Sequence, residues 1–154
     1  MNVLLINPLW PKDTKSIFRY LYGVFPPLGI ALLASILEQD GHYVKIIDCA
    51  AEEILPADIT KHISEKFDFI GITALSQSAP LSYELARIIK KHFDVPIIMG
   101  GIHATAMPDE VISNPYIDIC VRQEGEEAIR EIVSHKPLSG IKGISYKDNA
   151  RIIH

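Results

Sequence analysis

Several things are scarce in this chain, and each shortage removes a class of function. Only two of its 154 residues are cysteine, Cys49 and Cys120, 71 residues apart and each at the end of an apolar run. Thiols so placed read as buried side chains rather than a disulfide or a metal site, which fits a reducing cytoplasm. Positive charge is also short: 15 Lys and Arg stand against 19 Asp and Glu, a formal net charge of −4. Without a basic stripe there is no electrostatic footprint for nucleic acid. No apolar run approaches the length that spans a bilayer, so no membrane partner is expected. The start, Met1 to Ile6, lacks a basic flank and runs straight into Asn7-Pro8, so it reads as a strand rather than a signal peptide. A phosphate loop of the Walker type is missing, and no G-x-G-x-x-G follows the first strand, which counts against ATP and dinucleotides. Internal repeats and low-complexity tracts are missing too.

What is present is ordinary globular material. Hydrophobic residues make up 48% and charged residues 22% of the chain, enough for one domain with a proper core. Apolar runs at Val3–Ile6, Tyr43–Asp48, Phe69–Thr73, Val95–Met99 and Ile117–Val121 read as strands. Between them lie helical patterns. Pro26-Pro27-Leu28-Gly29 opens a first helix carrying Ile30, Leu33, Ala34 and Leu37 on one face. A weaker helix is expected from Pro56 to Glu65, a third through Leu81, Leu85, Ile88 and Ile89, a short one after Pro108, and a last one through Ala128, Ile129, Ile132 and Val133. Alternation around Asp148-Asn149 predicts a small hairpin at the end. The fold class is therefore α/β: a flavodoxin-like, doubly wound, five-stranded parallel sheet of order 2-1-3-4-5 with a C-terminal hairpin. Residues 1–136 are expected to form the Rossmann-like domain and 137–154 a connector.

In such a sheet, ligands sit outside the carboxyl ends of the strands. Four segments converge there: the loop through Gly29, Thr73 to Ser78, Gly100 to Thr105, and Glu124 to Glu126. Gly100-Gly101 after the fourth strand lets the backbone turn sharply or lie flat against a ligand, a bare tight turn being the competing reading. Small, hydroxylated and glycine-rich segments suit an elongated polar ligand laid along the strand ends. The residues 9–27 make an unusually long connection rich in aromatics (Trp10, Phe18, Tyr20, Tyr22, Phe25), which a ligand, a partner or another domain should cover. No catalytic centre is visible. Ser76 lacks the G-x-S-x-G setting, His103 has no carboxylate assigned to orient it, and Glu124, Glu126 and Glu127 suit the first turn of a helix as charges.

These segments in this order resemble the amino-terminal cobalamin-binding domain of the B12-dependent radical S-adenosylmethionine enzymes. The resemblance rests on Asn7-Pro8, Pro26-Pro27-Leu28-Gly29, Gly71-Ile72-Thr73, Gly100 to Thr105, and Val121 to Glu126, and it covers nearly the whole chain. It implies a cofactor site drawn from Asn7, Pro27, Leu28, Gly29, Thr73, Ala74, Leu75, Ser76, Gly100, Gly101, His103, Glu124, Gly125 and Glu126, with no catalytic residue and no metal ligand of the chain's own. Cobalamin-binding domains at large carry D-x-H-x-x-G, S-x-L and G-G signals. Thr73-Ala74-Leu75 stands for the second and Gly100-Gly101 for the third; the resemblance sets the hydroxyl against the dimethylbenzimidazole tail and the glycines along the nucleotide loop. The first signal departs from the pattern, because Val24 and Pro26 occupy the aspartate and histidine positions ahead of Gly29. The implied cofactor is thus base-off cobalamin with no histidine from that motif below the metal.

The resemblance further implies a radical catalytic domain as partner, carrying a 4Fe–4S cluster and S-adenosylmethionine for methyl transfer or a related step. The C-x-x-x-C-x-x-C motif of that domain is absent from this sequence, so the chain is expected to be a cofactor module of a longer enzyme, or free-standing, and not a catalyst alone. Three other readings stay open: the same fold with the cobalamin site lost and used for substrate or partner contact, a receiver-like domain, and a flavin or sugar-nucleotide protein. The first strand's ending in Asn7-Pro8 rather than clustered acids counts against the receiver.

Overall fold

A computed structural model of the chain describes residues 1–10, 25–148 and 151–154. Most of the aromatic connection, including Phe18, Tyr20, Tyr22 and Val24, lies outside the described residues, as does Asn149. Seven strands form one sheet in the order β2-β1-β3-β4-β5-β6-β7. The first five are β1 (Asn2–Asn7), β2 (Tyr43–Asp48), β3 (Phe69–Thr73), β4 (Ile97–Gly100) and β5 (Ile119–Val121). They run parallel, as the alternation of strand and helix requires.

The sheet is mixed, not the five-stranded parallel sheet expected. The terminal hairpin, β6 (Ile144–Asp148) and β7 (Arg151–Ile153), joins it: β6 pairs antiparallel with β5 through Ile119↔Tyr146, Cys120↔Ser145 and Val121↔Ile144. Left alone, β5 would present a row of unpaired amides and carbonyls at the sheet edge. Pairing with β6 satisfies them and buries Ile144 and Ser145.

Helices cover both faces. On one lie α1 (Leu28–Gln39) and α5 (Glu126–Val133), packed over Val3, Leu5, Phe69, Ile98, Ile119 and Val121. On the other lie α2 (Ala79–His92), α3 (Ile102–Ala106) and α4 (Pro108–Ser113), over Leu4, Ile6, Ile70, Ile72, Ile97 and Met99. Period-two alternation in the strands, all apolar because both faces are covered, sorts these residues into two cores. The expected helix from Pro56 to Glu65 is only a 3-10 turn over Pro56–Lys61. Residues 102–106 form a helix where a loop was expected. A bidentate ion pair, Arg130 Nε and Nη2 to Asp40 at 2.6 and 2.7 Å, ties α5 to the end of α1.

Candidate functional site

The order of the strands reverses between β1 and β3, so α1 and α2 leave the sheet toward opposite faces and a crevice opens at the carboxyl ends. On the α1/α5 face that crevice deepens into a slot enclosing about 180 Å³. A cavity of roughly 150 Å³ already takes a benzene ring, so the slot has room for an aromatic group.

Its floor follows from register. Leu5 lies opposite Gly71, and Gly71 opposite Ile98, so the three form one row across β1, β3 and β4. The middle member has no side chain. A Cβ on Gly71 would stand 2.8 Å from Leu5 Cδ2, so the missing side chain lets Leu5 lie over residue 71 and leaves no third side chain on the slot floor. One step nearer the edge, Thr73 pairs with Gly100 to form a second row. The walls are Gly29, Ile30 and Leu33 of α1, and Ile129 of α5 with Val121 below it; Gln123, Glu124, Gly125 and Glu126 rim the mouth. Among the described residues no cation lines this slot.

The two turns at the mouth are tied together by their backbones. Ala74 N–H donates to Gly100 O (2.9 Å), and His103 N–H donates to Ala74 O (3.0 Å). Gly101 sits at φ +99°, and a Cβ there would stand 2.8 Å from both Ala74 O and Thr73 Oγ1. Only glycine allows the β3 and β4 turns to approach this closely. The Thr105 hydroxyl extends the tie: it donates to Gly101 O (3.1 Å) and accepts from Gln123 N–H (2.7 Å), linking the β4 and β5 turns. Gln123 is itself left-handed, at φ +59°.

The residues expected at the site separate into two groups. Gly29, Thr73, Gly100, Gly101, Glu124, Gly125 and Glu126 line the slot. Asn7, Pro27, Leu28, Ala74, Leu75, Ser76 and His103 do not. Asn7 donates to Asp48 Oδ1 (2.8 Å), which also takes the N–H groups of Ala50 and Ala51, so it pins the ends of β1 and β2. Pro27 O accepts the first helical bond, from Ala31. Leu28 is 76% exposed on the rim, Ala74 is buried, and Ser76 is exposed.

His103 faces the α2 side. Its ring is buried, with Nε2 at 3.0 Å from the Tyr83 hydroxyl and 3.4 Å from Glu110 Oε1, and Nδ1 at 3.4 Å from Ser76 Oγ. Tyr83 in turn donates to Glu110 at 2.9 Å. Burial, with Glu110 next to it, pushes the Tyr83 hydroxyl's pKa well up, so it stays a neutral donor. His103 therefore serves the packing of α3 rather than the slot. Leu5, Ile30, Leu33, Gly71, Ile98, Val121, Gln123 and Ile129 line the slot without having been expected there as a ligand site. The available signal was Gly71, a glycine in the middle of an otherwise apolar buried strand.

Both cysteines are buried and free, their thiols pushed up to about 12 for Cys49 and about 11 for Cys120 by burial. Among the described residues no three His, Cys, Asp or Glu side chains are grouped to hold a metal ion, and no helix is long and apolar enough to cross a membrane.

The family model described as B12 binding domain matches residues 14–133. The chain belongs to the B12-binding domain family. Cobalamin is the cofactor that this family's description names. An uncharacterized methyltransferase of Pyrococcus horikoshii is 39% identical to the chain over 160 residues, covering 99% of the chain but 34% of that relative. The anaerobic magnesium-protoporphyrin IX monomethyl ester cyclase of Rubrivivax gelatinosus is 30% identical over 138 residues, 87% of the chain and 24% of the relative. The B12-binding chain thus spans about a third or less of these curated relatives. Among solved structures, the radical S-adenosylmethionine methyltransferase TsrM of Kitasatospora setae, with cobalamin and a 4Fe–4S cluster bound, superposes with a TM-score of 0.81 at 19% identity, over 99% of this chain and 30% of that one. The cobalamin-dependent radical enzyme OxsB with aqua-cobalamin bound gives 0.81 at 20% identity, over 99% and 22%. At those identities the likeness is one of fold.

Proposed function

We propose that the chain holds cobalamin base-off, its nucleotide tail in the slot between α1 and α5 and its corrin across the carboxyl edge of the sheet. The observation that carries this is the glycine-floored slot: Gly71 adds no side chain to its floor, and Gly101 lets the β3 and β4 turns close together at its mouth. A flat heterocycle on a flexible tail fits such a site. The tail enters base-first and its phosphodiester stays at the mouth, because no cation lines the slot to offset a buried charge. This disfavours a flavin or sugar nucleotide laid phosphate-first into the sheet. At the mouth, the Glu124 and Glu126 carboxylates are acceptors suited to the primary amides around a corrin.

The chain's own residues do no chemistry in this reading: they bind, orient and keep water from the tail. Bound there, cobalamin supplies a cobalt centre that can carry a methyl group. The partner is a radical catalytic domain bearing a 4Fe–4S cluster and S-adenosylmethionine, as in TsrM and OxsB, and the reaction served is methyl transfer or a related radical step. No protein imidazole is needed below the cobalt, since Pro26 stands at the expected histidine position and His103 is engaged elsewhere.

Titrating the purified chain with aquacobalamin while following the visible spectrum tests this. A saturable shift to a base-off spectrum is the expected result. A base-on spectrum for the bound form, or no binding, overturns it.

A further inference from the structure

We propose that the slot selects among cobamides by the chemistry of the lower base, accepting benzimidazoles and phenols and rejecting purines. This rests on the reading that the nucleotide tail occupies the slot. The deep row is Leu5, Gly71 and Ile98, and the walls beside it are Ile30, Leu33 and Ile129. None of these side chains has a hydrogen-bonding atom. The β3 backbone on the floor offers none either, because β3 lies between β1 and β4 and its amides and carbonyls are used in the two parallel ladders. Polar side chains begin one row out, with the Thr73 hydroxyl, and continue with Gln123, Glu124 and Glu126 at the mouth.

A base pushed past Thr73 therefore rests on a hydrocarbon floor. Dimethylbenzimidazole brings two methyl groups and a single free ring nitrogen, matched in number by the one hydroxyl of the outer row. A cresol-type base brings no ring nitrogen at all. Adenine brings an exocyclic amine and several ring nitrogens that leave water and find no partner in the deep row. Each buried polar group left without a hydrogen bond weakens binding by roughly tenfold or more.

The test compares three cobamides with dimethylbenzimidazolyl, cresolyl and adeninyl lower bases by calorimetric titration of the chain. The first two are expected to bind within a few-fold of each other, and the adeninyl form at least about tenfold more weakly. A Leu33→Gln variant, at a half-buried wall position where folding tolerates the change, supplies an amide to the slot. It is expected to narrow that ratio by raising the adeninyl affinity relative to the dimethylbenzimidazolyl one. Equal affinity for all three overturns the preference while leaving cobamide binding in place. Failure of all three to bind overturns the reading beneath it.

Discussion

Replacing Gly101 by alanine probes the mouth of the slot at its tightest point. The residue sits at φ +99° and ψ −174°, a backbone region essentially reserved for glycine, so any side chain adds about 1–3 kcal/mol of strain. The new Cβ would also lie 2.8 Å from Ala74 O and Thr73 Oγ1. Ala74 cannot retreat freely, because its N–H is bonded to Gly100 O and its carbonyl to His103 N–H. Overpacking of that kind costs a further 1–3 kcal/mol or so, giving roughly 2–6 kcal/mol in all. With a urea slope of about 2 kcal/mol per molar, the unfolding midpoint should fall by about 1–3 M. Gly29→Ala is the control: nothing lies within 4 Å of its Cβ, and the position is helical, so the midpoint should hold or rise slightly. A Gly101→Ala midpoint within about 0.25 M of the parent would refute the claim that the β3 and β4 turns are locked together.

Three further outcomes follow from other parts of the molecule. Hydrogen bonding to Arg130 holds the Asp40 carboxyl below the usual carboxylate range, so its contribution to stability is present above that range and is lost as pH falls through the lowered value. The stability gap between the parent and Asp40→Asn should therefore be seen at neutral pH, shrink at high salt, and close only once pH falls beneath the usual carboxylate range in urea titrations run across pH. Cys49 and Cys120, with thiols raised to about 12 and about 11, should resist iodoacetamide at pH 8 in the folded chain and react at the rate of unfolding; fast labelling of either would contradict their burial. His103→Ala removes the side chain joining Tyr83, Glu110 and Ser76 and should destabilise the fold by about 1–3 kcal/mol, while the visible spectrum of bound cobalamin stays as in the parent. A changed cobalt spectrum would place that imidazole at the metal.

Sequence carried much of this because the elements are strongly punctuated. Asn7-Pro8, Thr73 and Gly100-Gly101 end apolar strand runs, the alternation with helices requires those strands to be parallel, and they take the order 2-1-3-4-5 common to five units of this size. What escaped was whatever depends on pairing across the sheet. The hairpin's place beside β5 is set by an edge that needs a partner, and no residue of 144–153 announces it. The slot floor arises because Gly71 falls opposite both Leu5 and Ile98, a coincidence of register invisible along the chain. The resemblance set His103 among the cofactor contacts; its hydrogen-bonding neighbours, Tyr83, Glu110 and Ser76, come from three other segments, which no local pattern announces. The helix at 102–106 is one short turn, too brief for a 3.6-residue pattern to register.

The most direct test of the central claim compares cobalamin with cobinamide, which shares the corrin but lacks the nucleotide tail. If the tail fills the slot, burying its aromatic base against Leu5, Ile30, Leu33, Ile98 and Ile129 should make cobalamin bind tens of fold more tightly, from about 2–3 kcal/mol of apolar burial. Equal affinities for the two would contradict the account, because the tail would then contribute nothing and the slot beneath Gly101 would serve something else.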